Sequence, residues 1–388
     1  MTAPIGVYIH YPFCSARCPY CDFTSTAPKS LPHKAYADAV LTEITLRLAA
    51  QDWSNRRVES IYFGGGTPSL WDLKEIARMI EKITRSFPLN SKVEVTMEIN
   101  PDQLETSTLK QLGSIGVNRI SFGTQSFQQR YLHALGRRHD ESDSRHAVEK
   151  ARCAGFTNIS VDLMYGIPSQ DPKGAEGDAL LAAAMEPDHI SAYCLTLHSG
   201  TAMHRALELG TITLPDEDES LEIEEAVMSA LEAAGFNRYE ISSFAREGKE
   251  GVHNRGYWTG RECLSLGAGA HGFRLNYETS EMSGLRYSNV PNVDQYLEST
   301  GRNEDPTERI EQLGARELLL ERMFLGLRLE RGVDLGELKA WSGIDPAIVY
   351  AGALERMERE GLIARHGWVV QPTKLGLRFN DTLSALLC

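Results

Sequence analysis

Three cysteines fall close together in Tyr8-Ile9-His10-Tyr11-Pro12-Phe13-Cys14-Ser15-Ala16-Arg17-Cys18-Pro19-Tyr20-Cys21. Thiolates are the usual ligands of iron-sulfur clusters, and a four-iron cubane normally takes four of them. Three thiolates, spaced C-x3-C-x2-C, would leave one iron with an open coordination site. Such an iron can take the amino and carboxylate groups of S-adenosylmethionine, and an electron from the reduced cluster can then break the sulfonium C–S bond. Zinc is the competing reading, with His10 as a fourth ligand. Structural zinc sites, however, pair two C-x2-4-C knuckles, and only one such set is visible. A disulfide framework fits less well, because seven cysteines in 388 residues are sparse and odd in number.

The loop comes after a β-branched and aromatic run, and five more such runs lie further along the chain. The six are Val7–Phe13, Val58–Phe63, Val93–Ile99, Arg119–Phe122, Asn158–Met164 and His189–Leu195. Between them lie helical patterns, among them Lys34–Ala50, Trp71–Phe87 and His146–Gly155. Alternation of this kind predicts parallel strands joined by crossover helices, and in a barrel of that class the C-terminal rim of the strands holds the active site.

The strand ends carry chemically unusual residues. After the second comes Gly64-Gly65-Gly66-Thr67-Pro68-Ser69, where glycines allow close backbone approach and free N–H groups can hold a carboxylate. It lacks the Gly-Lys-Ser/Thr ending of a phosphate loop; taken alone it is better read as a plain tight turn, and its place after a strand is what favours a ligand. The third strand carries Glu98, the fourth runs into Gln125, and the fifth contains Asp162, each a carboxylate or amide among apolar neighbours. Such groups need a partner when buried, whether from a helix terminus or from a ligand. Three on successive strands favour a ligand. Arg137, in Leu135-Gly136-Arg137-Arg138-His139, is a further candidate.

Length and charge bound the rest. The chain can bury a large domain and a smaller one. Lys and Arg number 40 against 53 Asp and Glu, a formal charge of -13, which opposes a phosphate-tracking role and with it tRNA modification. The start, Met1-Thr2-Ala3-Pro4-Ile5-Gly6, has no basic or apolar targeting segment, and no run reaches the ~20 apolar residues of a membrane span. A reducing cytoplasm is the expected location.

The cysteine loop, the Gly64-Gly65-Gly66-Thr67 turn, Glu98, Gln125, Arg137 and Asp162 together resemble the cofactor-binding set of the radical SAM superfamily. The resemblance is to the branch of oxygen-independent coproporphyrinogen III oxidases and their relatives, and it covers nearly the whole chain. It implies an α/β fold, a partial TIM-like (β/α)6 barrel in which Cys14, Cys18 and Cys21 hold a 4Fe-4S cluster. It also implies that Tyr8, Tyr20, Gly65, Gly66, Thr67, Glu98, Gln125, Arg137 and Asp162 contact S-adenosylmethionine. Two departures separate the chain from the oxidases. Phe23 stands where they carry a further cysteine, and only 13 residues precede Cys14, too few to enclose a porphyrinogen. Coproporphyrinogen oxidase activity is therefore not expected, and no catalytic side chain is assigned.

A second motif is His253-Asn254-Arg255-Gly256-Tyr257-Trp258. A histidine beside two aromatics can be a satisfied core residue, or it can ligate a haem iron while the rings cover the macrocycle. His-Asn-x-x-Tyr-Trp resembles the signature of HemW-like haem chaperones, the sister branch with Phe at position 23, as does Gly267-Ala268-Gly269-Ala270-His271-Gly272. That resemblance implies haem binding and delivery to an acceptor protein, with His253 the leading ligand and His271 in reserve. The competing readings are the oxidative decarboxylase and a radical haem-degrading methyltransferase. Peripheral contact with membrane haemoproteins is compatible with such a role.

Three regions are expected: a barrel over 1–235, a connecting region over 236–305 and a helical, winged-helix-like domain over 306–388. In the last, Asp345-Pro346 opens a helix that stops near Gly361, Leu362–Val370 forms a hairpin, and a final helix starts at Leu375. It holds 11 Lys and Arg against 12 Asp and Glu, with no basic recognition helix, so nucleic acid is not an expected partner.

Overall fold

The computed structural model describes residues 4–50, 53, 56–102, 105–276 and 282–388; of the N-terminal stretch expected to carry no targeting segment, Met1–Ala3 lie outside the described residues. The six expected strands are present as β1 (Ile5–Tyr11), β2 (Val58–Gly65), β3 (Leu89–Ile99), β4 (Arg119–Gln125), β5 (Ile159–Tyr165) and β6 (His189–Cys194). They pair in parallel, each with the next, with crossover helices between them. The result is the expected α/β architecture, a partial (β/α)6 barrel whose sheet stays open.

The chain adds strands at both edges. β7 (Asn237–Arg238) and β8 (Ser243–Ala245) run antiparallel beyond β6, while β9 (Cys263–Leu266) lies parallel to β1. β10 (His271–Asn276), β11 (Ser283–Asn289) and β12 (Thr307–Gly314) then continue as an antiparallel meander. The twelve-stranded order is β12-β11-β10-β9-β1-β2-β3-β4-β5-β6-β8-β7. Residues 236–305, read on the sequence as a connection, thus extend the barrel's own sheet.

Strand residues alternate. Val7, Ile9, Ile61, Phe63, Val95, Met97, Ile120, Phe122, Val161 and Ile190 are buried in the core that also includes residues of the helices. Their neighbours Tyr8, Tyr62, Glu98, Ser121, Asp162 and Ser191 share hydrogen bonds, ring contacts or cavity walls with one another across the strands. Parallel strands covered on both faces usually read as continuous apolar runs. The alternation here marks one face, the barrel interior, as polar.

Helix starts obey local chemistry. Asp140 and Asp216 cap Glu141–Cys153 and Glu217–Ala233 by accepting from the N–H of Asp143 and Glu219 in capping boxes. The first of these helices therefore begins five residues before the His146 start read from hydrophobic periodicity, and the acidic run at 216–219 forms the start of the second.

Helix Ala315–Gly326 opens a second core containing Met323, Leu327, Leu335, Leu354, Met357, Val370 and Leu383. Its small sheet has the order β13-β15-β14, from β13 (Val333–Asp334), β14 (Ile363–His366) and β15 (Val369–Pro372). This is the expected winged-helix-like arrangement. The helix predicted over 346–361 breaks at Tyr350, whose φ of -106° and ψ of 19° leave the helical region, into Pro346–Val349 and Ala351–Arg359. The last helix breaks at Phe379 in the same way.

One buried network ties the barrel to its extension. Glu43, on helix His33–Ala50, accepts from the Gly267 N–H (2.9 Å), Tyr296 Oη (2.7 Å) and Asn289 Nδ2 (2.8 Å), and it pairs with Arg47 at 3.1 Å. Arg47 also donates to Asn289 Oδ1 and Asp305. Removing one partner of a buried ion pair leaves an uncompensated charge, worth about 3–5 kcal/mol. Glu43→Ala is expected to destabilise the chain by that amount in denaturant unfolding; a loss within the scatter of ordinary surface substitutions would remove the network from this role.

Candidate functional site

The polar face of the barrel opens, at the C-terminal strand ends, into a cavity of about 450 Å³. That volume lies within the range of small-molecule sites. Cys14, Cys18 and Cys21 line it, with Tyr20, Gly65, Gly66, Thr67, Glu98, Gln125, Arg137 and Asp162. Of the twelve residues assigned on the sequence to the cluster and S-adenosylmethionine, eleven therefore meet around one space. Tyr8 stands behind its wall, with its ring against Tyr62 (6.1 Å between centroids) and its hydroxyl on His10 Nδ1 (3.0 Å).

The cysteine loop is fixed from several sides. The Cys14 N–H donates to Thr26 O, and the Thr26 N–H returns a bond to Pro12 O. His10 Nε2 lies 2.8 Å from Thr24 O and its Nδ1 is taken by Tyr8. Both nitrogens of His10 are thus occupied in holding the loop, which removes it as a fourth zinc ligand. Arg137 completes the frame. It donates to Gly123 O (2.6 Å) and Asn100 Oδ1 (2.7 Å), and its Nη1 lies 3.7 Å from Cys18 Sγ. The neighbouring Gly136, at φ +68°, is required by close packing, since a Cβ there would sit 2.6 Å from Pro19 Cδ.

All three cysteines are free thiols. Burial pushes Cys14 and Cys21 above the ordinary thiol range, and the proximity of Cys18 adds to both shifts, while the Thr67 hydroxyl beside Cys14 works the other way. Among the described residues, no three His, Cys, Asp or Glu side chains converge as a single-ion site requires. Three thiols spread around a shared cavity instead suit a cluster, in which each thiolate meets its own iron.

The cavity also has the features of a cationic amino acid's site. Glu98 is pushed up to about 7, mainly by burial and secondarily by the charge of Asp162, although the Tyr62 hydroxyl donates to it at 2.7 Å and the Gly65 N–H also favours its ionised form. Burial likewise raises Asp162, against hydrogen bonds from Ser191, Ser121 and Ser160. Two carboxyls whose burial is incompletely offset leave room for a positive ligand. The glycine turn offers bare backbone: a Cβ at Gly66 would lie 2.7 Å from Phe13 O and 3.0 Å from Cys14 Sγ. Gln125, at the end of β4, is held at φ +68°, an uncommon conformation for a residue with a side chain and one that concentrates at ligand sites. The residues fit both groups. When bound, a 4Fe-4S cluster on Cys14, Cys18 and Cys21 would supply an electron to S-adenosylmethionine held by the glycine turn, Glu98, Gln125 and Asp162.

His253 lies elsewhere. It is buried beneath this cavity on helix Val252–Trp258, which closes the other end of the barrel. The N–H groups of Val252 and His253 both donate to the Glu94 carboxylate at 3.0 Å. The imidazole stacks on Tyr62 (4.9 Å), shares a hydrogen bond with Ser60 Oγ (2.9 Å) through Nδ1 and another with Tyr257 Oη (3.0 Å) through Nε2. Burial, then Arg261 and Arg119, lowers it to about 3, so the ring is neutral. To meet an iron it would have to surrender Ser60 or Tyr257. The adjacent Asn254, a member of the same motif given no role on the sequence, does line the cavity, with Tyr62, Ser121, Ser191 and Tyr193. Strict alternation in the six strands is the signal that finds the last four.

The chain matches the radical SAM superfamily over residues 8–181 and the HemN C-terminal domain over residues 313–379. It is 34% identical to the haem chaperone HemW of Bacillus subtilis, over 98% of this chain and 99% of that protein. It is 35% identical to mouse "Radical S-adenosyl methionine domain-containing protein 1, mitochondrial", over 88% of this chain and 76% of that protein. Its fold superposes on the coproporphyrinogen III oxidase HemN of Escherichia coli with a TM-score of 0.83, at 23% identity, covering 99% of this chain and 90% of that one.

Two outcomes test the site. Cys18→Ala is expected to remove the cluster's broad visible absorbance after reconstitution while circular dichroism stays that of the wild type; retained absorbance would refute the ligand assignment. The second concerns pH. Glu98 titrates higher in the fold than the ~4.3 of an unfolded glutamate, so its contribution to stability is present at low pH and is lost as pH rises through about 7. A cationic ligand reverses this preference, because it favours the ionised form. S-adenosylmethionine affinity, measured by calorimetry, should rise across that interval in the wild type and stay flat in Glu98→Gln; parallel profiles would sink the pairing.

Proposed function

From its membership of the HemW haem-chaperone family within the radical SAM superfamily, we propose that this chain binds haem and passes it to an acceptor protein. Similarity to a named haem chaperone along nearly the full length of both chains carries this reading. The likeness to the oxidase HemN concerns the fold and leaves the reaction open.

Phe23 supports the same choice. It lines the cofactor cavity and is 59% exposed, so the position where the oxidases have a further cysteine offers no thiol here. In this reading the cluster and S-adenosylmethionine occupy the barrel, and haem and its acceptor are the partners. Among the described residues no helix is long and apolar enough to cross a membrane, so contact with a membrane haemoprotein would be peripheral. Seven unpaired cysteines suit a reducing compartment such as the cytoplasm.

We assign His253 a place in haem binding through the helix it anchors, since its hydrogen bond positions Tyr257. Anaerobic addition of haem to the cluster-reconstituted chain is expected to give a saturable, equimolar Soret transition, and the loaded chain should then donate haem to an apo-haemoprotein. Absence of saturable binding would overturn the proposal.

A further inference from the structure

A second cavity, of about 330 Å³, lies outside the barrel where helix Val252–Trp258, strands β10 and β11 and helix Ala315–Gly326 meet. Its walls are mostly apolar and include Tyr257, Trp258, Phe273, Leu318 and Leu325. It adjoins a larger, polar trough of about 720 Å³, lined in part by Arg309, Glu308 and Glu311. His271 and Arg286 line both spaces and so stand at their junction.

The side chains at that junction differ from those around His253. His271 is exposed, and among the described residues its imidazole has no hydrogen-bond or ion-pair partner. Its backbone is nonetheless fixed. It begins β10 opposite Ser288, and the next residue, Gly272, packs so tightly that a Cβ would lie 2.2 Å from Tyr287 Cζ. A rigid mount with a free imidazole is what axial ligation of a metal needs. On the trough side Arg286 pairs with Glu311 and Glu321, while Arg309 is 84% exposed and only 3.9 Å from its neighbour Glu308. The arrangement therefore combines aromatic and aliphatic walls, an unpartnered imidazole and a loosely held guanidinium at the wet end.

We infer that haem docks at this junction, with the macrocycle edge in the apolar cleft, His271 as axial ligand and the propionates toward Arg309. The inference rests on the haem-binding reading and gives it a location. Each part of haem meets its chemical complement: flat apolar rings on Tyr257, Trp258 and Phe273, iron on imidazole, carboxylates on arginine. The motif around His253 enters through its aromatic end. Tyr257 lines the cleft while its hydroxyl is held by His253, so the buried histidine is a positioning residue for the cleft wall.

The test uses the full chain with its cluster reconstituted, titrated anaerobically with haem. His271→Ala is expected to weaken binding about ten-fold or more and to remove the absorbance signature of imidazole-ligated iron, which added imidazole should restore. Leu325→Trp, which fills the cleft, should weaken haem binding while cluster absorbance and S-adenosylmethionine affinity stay unchanged. His253→Gln should lower affinity yet keep the imidazole signature. Wild-type haem binding that persists unaltered in His271→Ala, or an imidazole signature lost in His253→Gln alone, would overturn this location and leave the chaperone reading standing. A wild-type chain that takes up no haem would overturn both.

Discussion

Polar groups inside the barrel have to find partners, and most of the architecture is a consequence of where they do. Several kcal/mol are lost when an ionised group is buried unpaired. At the N-terminal end of the strands the protein supplies the partners itself: Glu94 accepts two backbone N–H groups from helix Val252–Trp258, with Arg119 close by. At the C-terminal end it does so incompletely. Glu98 has a tyrosine hydroxyl and a backbone amide, Asp162 has serines, and both carboxyls still sit above their ordinary range. The barrel is thus closed below by its own chain and left electrostatically unfinished above, which is where a cationic cofactor belongs.

The same demand explains the loops. His10 and Arg137 spend their hydrogen bonds on carbonyls and an amide that frame the cysteine loop, so the thiols are presented by a fixed backbone. Gly66 and Gly136 are glycines because Phe13 O and Pro19 occupy the space that a side chain would need. Preorganisation of this kind keeps the site's geometry independent of the ligand that fills it.

Much of this is legible in the sequence, and the remainder has identifiable causes. The six strands announce themselves by β-branched and aromatic runs, and the cysteines, glycines, Glu98, Gln125 and Asp162 by falling directly after or within them. Resemblance places Tyr8 at the cofactor, yet its register puts it one ring behind Tyr62. Periodicity cannot show the early start of Glu141–Cys153, because a capping aspartate and not an apolar residue sets it. Nor can it show that residues 236–305 extend the sheet, since strands of two to seven residues at a sheet edge leave little pattern. The wall residues Ser121 and Ser191 carry no motif and show only as alternate positions of their strands, while Asn254 stands in the His253 motif with nothing in its spacing to say which cavity it faces.

His253 is the most instructive case. In sequence it looks like a ligand because it stands beside Asn254, Tyr257 and Trp258; in the fold those four side chains serve different spaces. Asn254 lines the cofactor cavity, Tyr257 and Trp258 line the outer cleft, and His253 sits between them with both nitrogens engaged. One seven-residue helix is therefore a common wall of two cavities. A shared wall gives coupling a physical route through packed contacts. Linkage makes any such coupling reciprocal: the factor by which bound cofactor changes affinity in the cleft is the factor by which a ligand in the cleft changes affinity for the cofactor. Neutral, stacked on Tyr62 and hydrogen-bonded to both Ser60 and Tyr257, His253 is the element through which that factor would pass.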